Sequence, residues 1–128
     1  GCRINCIGVV KVTMKAKLRQ DLMDKRITDI VGNKIYYIHA PQSADLYVEY
    51  MFYNKKKSDF CSNKNLAYTH YIQVDIFSKG DFTKLEKAVE EVMEEKGYNF
   101  ITSADLYEDD TKLYHKALRY TFKEMVKK

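Results

Sequence analysis

The chain has 128 residues, enough for one domain with one hydrophobic core and too few for two. Its formal net charge of +4 is modest and does not by itself indicate nucleic-acid binding, and its apolar and charged fractions exclude a disordered or fibrous protein. Eleven Tyr and six Phe, with no Trp, are typical of side chains that fill sheets and interfaces.

Apolar runs and cysteines indicate where in the cell the protein is made and whether it enters a membrane. No apolar run approaches the roughly eighteen residues that cross a bilayer, and the opening segment lacks the features of a secretory signal. The cysteines Cys2, Cys6 and Cys61 are odd in number and scattered, which fits reduced thiols better than a disulfide framework. We therefore expect a soluble protein made in the cytosol, with no membrane partner.

The opening residues 1–13 show no amphipathic period and run directly into Met14. We expect the native protein to begin at Met14, so that residues 1–13 are a non-native or disordered extension and residues 14–128 form a single domain. The alternative is a short extra strand from Ile7 to Val12, which its β-branched residues permit.

The next segment predicts a helix from about Ala16 to Gly32-Asn33, because its apolar residues recur at helical spacing. Two strands follow, Ile35 to Ile38 and Leu46 to Tyr53, the second alternating so that one side of the strand is apolar. The apolar positions of the helix are Leu18, Leu22, Met23, Ile27, Ile30 and Val31; those of the second strand are Val48, Tyr50 and Phe52.

Asn54 to Asn65 is polar and basic, which predicts a loop or a long hairpin tip. Tyr68 to Phe77 then alternates strictly, which predicts a strand.

A second helix is predicted after Ser78-Lys79-Gly80, with Asp81 or Thr83 as its cap, a capping box from Thr83 to Glu86 and Gly97 at its end. Two further strands, Tyr98 to Tyr107 and Lys112 to Lys123, flank the acidic turn Glu108 to Asp110. This order predicts an α+β fold: an antiparallel sheet of four to five strands with two helices packed on one face. The other sheet face, rich in Tyr, is a candidate subunit interface.

Reactive side chains stand apart in the sequence. A structural zinc site takes thiolates or imidazoles in close pairs, whereas Cys2 and Cys6 have no second pair and His39, His70 and His115 are far apart. The glycines are isolated, so no phosphate-binding loop is present. The sequence predicts no metal, no cofactor and no catalytic residue, and an enzyme is the least favoured class.

A basic stretch offers an alternative function. Lysines beside Tyr68 and Tyr71 could contact phosphates while the rings stack on bases, as in a small nucleic-acid-binding module. A solvated charged segment is the more common meaning of such a run, and the glycine and aromatic signature of an RNA-recognition sheet is missing. Specific nucleic-acid binding is therefore not expected. The lysines are Lys55, Lys56, Lys57 and Lys64, and we predict them instead as a first set of candidate residues of an assembly interface.

The last hairpin carries a second set of candidate interface residues. His115 and Arg119 share the outward face of the final strand, and such a pair could hold a carboxylate across an interface, although these residues alone favour an ordinary exposed strand. Asp105 and Tyr107 belong to the preceding strand and are expected to project outward with them.

Four segments of the C-terminal half, in fixed order, resemble the tail completion family of long-tailed bacteriophages. They read YIQVDIFS at 71–78, MEEKGY at the end of the second predicted helix, SADLYEDDT at 103–111 and YHKALRY at 114–120. The N-terminal helix, followed by Pro41 and a Tyr-rich strand, is also similar, so the resemblance covers about Met14 to Phe122.

The resemblance implies a small α+β subunit, similar in fold to phage tail terminators, that completes or terminates the tail and joins it to the head connector. It implies a non-enzymatic, prophage- or phage-encoded protein of the virion, present in the bacterial cytoplasm during assembly. Its implied partners are copies of itself in a ring, hexameric by the resemblance, the tail tube protein and the head-tail connector protein.

Overall fold

The computed structural model describes residues 13–42, 44–58 and 65–127. The segment 1–12, expected to be an extension or an extra strand, lies outside the described residues. Three helices and five strands occur in the described part. In chain order they are α1 (Met14–Leu22), α2 (Lys25–Val31), β1 (Ile35–Tyr37), β2 (Leu46–Ser58), β3 (Asn65–Ser78), α3 (Thr83–Glu95), β4 (Asn99–Glu108) and β5 (Leu113–Lys127).

The first predicted helix is two helices. The carboxylate of Asp24 accepts a hydrogen bond from the backbone N–H of Arg26 (2.9 Å), which caps α2 and separates it from α1. Thr13 caps α1 in the same way, since its hydroxyl accepts from the backbone N–H of Ala16 (3.1 Å). The apolar period continues across the break, so Leu18, Leu22, Ile27 and Val31 are buried as predicted, while Met23, between the helices, and Ile30 are partly buried.

The sheet is mixed rather than purely antiparallel. Its strand order is β1-β2-β3-β5-β4, and β1 runs parallel to β2, with Ile35 opposite Val48, whereas every other pair is antiparallel. The turn after β1 begins at Ile38, whose φ is 68°, and the chain returns to enter β2 in the same direction as β1. The predicted antiparallel sheet is therefore wrong at this edge.

The described part of the basic segment is strand. Asn54 to Ser58, expected to be a loop or a long hairpin tip, continues β2, and β3 begins at Asn65; residues 59–64 lie outside the described part. Pairing with β3 brings Lys55 over an aromatic ring of that strand, since its Nζ lies 4.6 Å from the ring centroid of Tyr68. An irregularity between Phe52 and Asn54 shifts the register there.

Both faces of the sheet carry a core. The larger core lies between the sheet and the helices, all on one face as predicted, and it includes Leu118 and Tyr120 of β5. A smaller cluster lies on the opposite face, below called the helix-free face; its buried members are Ala40, Tyr47, Phe77 and Leu113. The helix-free face is therefore closed at one end by the chain itself.

The second predicted helix is confirmed as α3, but its capping box is not. Phe82 occupies the N-cap position without a side-chain cap bond, and the Asp81 carboxylate accepts from the backbone N–H of Thr83 (3.0 Å) and from its hydroxyl (2.6 Å). Glu86, instead of returning to the cap, lies 3.3 Å from Nζ of Lys116 on β5. No helix in the described ranges is long and apolar enough to cross a membrane.

Candidate functional site

Three stacked rings cross the closed end of the helix-free face. The ring of Phe77 on β3 stacks on Tyr47 of β2 at 4.8 Å and on His115 of β5 at 4.3 Å between centroids. These residues lie directly opposite one another in the strand register, so pairing of the strands brings the rings together. Burial raises the pKa of the Tyr47 phenol to about 12.

His115 does not project freely outward as predicted. Its Nε2 lies 2.6 Å from Oδ1 of Asp75, which is buried, and its Nδ1 lies 3.7 Å from Oε2 of Glu108. Gln73 Nε2 donates a further hydrogen bond to Asp75 (2.8 Å). Strand alternation correctly placed His115 on the helix-free face, but it could not show that this end of the face is covered. His115 therefore holds a carboxylate of its own chain.

Glu49 holds the segment after β1, near Ala40, against the helix-free face of the sheet; this segment is below called the covering segment. Its carboxylate accepts a hydrogen bond from the backbone N–H of Ala40 (2.8 Å), which holds the segment after β1 against the sheet. Burial raises the pKa of this carboxyl, and the negative charges of Asp75 and Glu108 add to the effect, while the Ala40 hydrogen bond opposes it. In the described part of the chain, no group of three or more His, Cys, Asp or Glu side chains is placed to hold a metal ion.

Arg119 lies on the open part of the helix-free face. Its Nε donates to Oε1 of Gln73 (2.9 Å), and its guanidinium lies 4.5 Å from the ring centroid of Tyr53. The side chain stays exposed, because these contacts orient it without covering it. Arg119 is thus exposed, and its place in an interface stays a prediction.

Asp105 and Tyr107 lie on the other face from His115 and Arg119. The Asp105 carboxylate lies 3.0 Å from Nζ of Lys116, and the Tyr107 ring lies 5.2 Å from that of Tyr114. Successive side chains alternate across a strand, and the β4–β5 register pairs both residues with the helix-side positions of β5. The predicted hairpin surface is therefore two surfaces, one on each face of the sheet.

The whole of β4 is exposed except its last residue, which is half-buried. It pairs with β5 on one side and is the edge of the sheet on the other. Its large apolar side chains remain accessible: Phe100 (55%), Ile101 (46%), Leu106 (50%) and Tyr107 (49%). A long edge strand with such side chains is unusual for a monomer, because its free N–H and C=O groups can pair with another chain.

A cleft opens between α3 and β4, below called the acidic cleft. It is lined by Glu90, Glu94, Tyr98, Asn99, Phe100 and Tyr120. The Tyr120 hydroxyl is buried without a hydrogen-bond partner. Burial raises the pKa of this phenol, and Glu90, Glu86 and Glu94 raise it further. Nothing in a local sequence pattern could show that the Tyr120 hydroxyl lacks a partner.

The predicted lysines lie on β2, at the far end and opposite edge of the sheet from the acidic turn. Lys55, Lys56 and Lys57 are exposed, whereas Lys64 lies outside the described residues. Lys55 and Lys57 face the helix side, because their partners in the register are His70 and Tyr68. Lys56 faces the helix-free side and lies 5.7 Å from the ring centroid of Tyr71.

The sequence matches no protein-family model. Nor does it match any curated protein significantly. In fold, the chain is similar to a chain in the solved structure of the virion of a native gene transfer agent particle, with a TM-score of 0.66 at 15% sequence identity. The alignment covers 88% of this chain and 95% of that chain, so the two share a whole domain. At this identity the likeness establishes the fold.

Proposed function

We propose that the chain is a structural, non-enzymatic subunit of a phage-like virion. The observation that carries this proposal is the fold shared with a chain of a gene transfer agent virion over 88% of this chain and 95% of that one. The resemblance of residues 14–122 to the phage tail completion family supports it independently, since it rests on sequence segments and not on the fold.

Within the virion, we place the subunit at the tail–head junction, where it completes or terminates the tail and joins it to the head connector. Copies of the chain would form a ring, hexameric by the family resemblance, between the tail tube protein and the connector. Exposed edges support self-association, since β4 presents free backbone groups and apolar side chains along ten residues. The protein would stay in the bacterial cytoplasm until a tail end or connector serves as a template.

Immunogold electron microscopy of particles released by cells that carry the gene tests this role. Antibody against the chain should label intact particles at one point, between head and tail. The matched control is the same preparation from a strain in which the gene is deleted, which should release unjoined heads and tails. Label confined to the soluble fraction, with joined particles in the deletion strain, would contradict the proposal.

The second candidate is a nucleic-acid-binding module. It is favoured by two lysines of β2 that lie over tyrosine rings of β3, Lys55 over Tyr68 and Lys56 over Tyr71. Such a module would bind DNA or RNA with an affinity that falls steeply as salt rises. A gel shift between low and physiological salt decides the matter. The structural role predicts no retention at physiological salt, because it assigns the exposed Lys55 and Lys56 to contacts with protein subunits and not with phosphates.

A further inference from the structure

The two edges of the sheet differ in charge. On the β4 edge, the helix side carries the acidic cleft with Glu90 and Glu94, both exposed, and Asp105 lies farther along the strand. Burial raises the pKa of the Glu90 carboxyl, and the negative charge of Glu86 adds to this. A cation entering the cleft would lie beside the exposed carboxylates of Glu90 and Glu94 and would be attracted by their negative charge.

The opposite edge is basic and also open. The short strand β1 pairs only with Val48 to Tyr50, so among the described residues no strand covers the outer side of β2 from Met51 to Ser58. Lys55 and Lys57 lie in this open stretch and face the helix side of the sheet, as the acidic cleft does on the other edge. A groove beside Lys55, lined also by Met14 and Phe52, leaves this side accessible.

The strand directions allow the two edges to join. β2 and β5 run the same way and β4 runs against them, so β4 of one copy placed beside β2 of the next is antiparallel to it. Because the two edges are different surfaces, the contact is head-to-tail, and head-to-tail contacts close into rings when the rotation permits.

We propose that a second copy of this chain is the partner of the β4 edge: β4 pairs with the open stretch of β2 in the next copy, whose Lys55 and Lys57 enter the acidic cleft beside Glu90, Glu94 and Tyr120. The inference rests on the proposed ring and names the surfaces that build it. It deepens the role of Lys55 and Lys57 and assigns one to Glu90 and Glu94.

Charge reversal tests the contact in the full-length chain. In one variant Glu90→Lys is combined with Glu94→Lys, and in the other Lys55→Glu is combined with Lys57→Glu. Each variant places like charges at the joint, so each alone should need a concentration at least roughly tenfold higher than the wild type to assemble. Mixed in equal amounts, the variants should assemble again, because each reversed edge then meets its complement on the other variant. Lys84→Glu with Lys87→Glu, on exposed positions of α3, is the matched control and should assemble normally.

The outcomes of this experiment bear separately on the edge contact and on the proposed structural role. If either variant alone forms rings as readily as the wild type, the edge contact is overturned and the structural role is left intact. A mixture that fails to assemble also overturns the contact.

Should the wild type form no rings, a zero-length carbodiimide cross-linker is applied to concentrated protein mixed from ¹⁴N- and ¹⁵N-labelled chains. Cross-links between copies from Lys55 or Lys57 to Glu90 or Glu94 would support the contact, and their absence would overturn it; Lys116–Asp105, 3.0 Å apart within one chain, is the internal control.

Discussion

Nε2 of His115 lies 2.6 Å from Oδ1 of Asp75 on the sheet face opposite the helices. Asp75 is buried, and a buried carboxylate without partners would cost several kcal/mol. His115 also stacks on Phe77 with 4.3 Å between ring centroids. The pair therefore ties β5 to β3 inside the subunit, whereas Arg119, farther along the strand on the same side, is exposed.

Replacing His115 by Phe should keep the stacking on Phe77 and remove the bond to Asp75. We expect the free energy of unfolding to fall by about 1–3 kcal/mol, the typical cost of leaving a buried polar group without its partner. Urea denaturation followed by circular dichroism measures the loss. The control is the same change in an Asp75→Asn background, where the loss should be smaller; equal losses in both backgrounds would show that the two side chains are not coupled.

Two buried tyrosines give a matched pair. Tyr98 donates its hydroxyl to Asp21 (2.7 Å) and accepts from Lys17 (3.3 Å), whereas the Tyr120 hydroxyl has no hydrogen-bond partner. Tyr98→Phe should lower the free energy of unfolding by roughly 1–2 kcal/mol, and Tyr120→Phe should leave it unchanged or raise it. Thermal and urea denaturation of the monomer compare the two. A Tyr120→Phe variant as destabilised as Tyr98→Phe would refute the unpartnered hydroxyl.

Asp24 predicts a loss of stability in acid. Side-chain and backbone hydrogen bonds from Arg26 lower the pKa of the Asp24 carboxyl from its ordinary 3.8 to about 2. A carboxyl with a lowered pKa in the folded state contributes stability above its ordinary pKa and loses it as the pH falls toward the folded value, here between about 3.8 and 2.

Asn also caps helices well but carries no charge, so Asp24→Asn isolates this effect, and Asp24→Ala should cost about 1 kcal/mol at neutral pH from the lost cap. Urea denaturation at pH 7, 4 and 2 should show that the advantage of the wild type over Asp24→Asn disappears toward pH 2. An advantage that is the same at all three values would contradict the assigned cause of the pKa shift.

Arg119→Ala should separate assembly from folding. The side chain is exposed and its contacts with Gln73 and Tyr53 are superficial, so the free energy of unfolding should change by no more than about 0.5 kcal/mol. Joining of the phage head to the tail should be lost, because the proposed role places Arg119 against a partner on the helix-free face. Plating efficiency of particles complemented with the variant measures joining, and Lys84→Ala is the exposed control. Unchanged infectivity with Arg119→Ala would remove this residue from the interface.

Strong periodic patterns predicted much of the fold. The alternation from Tyr68 to Phe77 predicted a strand and the stripe of α3 a helix, and the structure confirms both elements. Burial of Asp75 and Phe77 on the second face of the strand was not predicted. The break at Asp24 was missed because Leu22 and Ile27 both reach the core, so the apolar period runs on across two helices. β1 has three residues, and its parallel pairing depends on the path of the following turn, which no local pattern encodes.

The candidate site was less predictable, because it depends on contacts distant in sequence. Lys55 and Lys57 were assigned to a loop since they have no apolar alternation, yet pairing with β3 makes them strand. His115 was expected to face solvent. The segment near Ala40 that covers this end of the sheet lies more than seventy residues earlier in the chain, so no pattern around His115 could show the coverage. The acidic cleft needs α3 and β4 to be placed side by side, so its side chains could not be grouped from their positions along the chain.

The most direct test of the structural role is to measure the mass of the protein by light scattering across concentration, alone and with isolated phage tails, and to examine both samples by negative-stain electron microscopy. The proposed role predicts rings of uniform size, in solution or seated at one end of the tails. A stable monomer at every concentration, with tail ends left bare, would contradict it; retention on nucleic acid at physiological salt in the same preparation would favour the binding module instead.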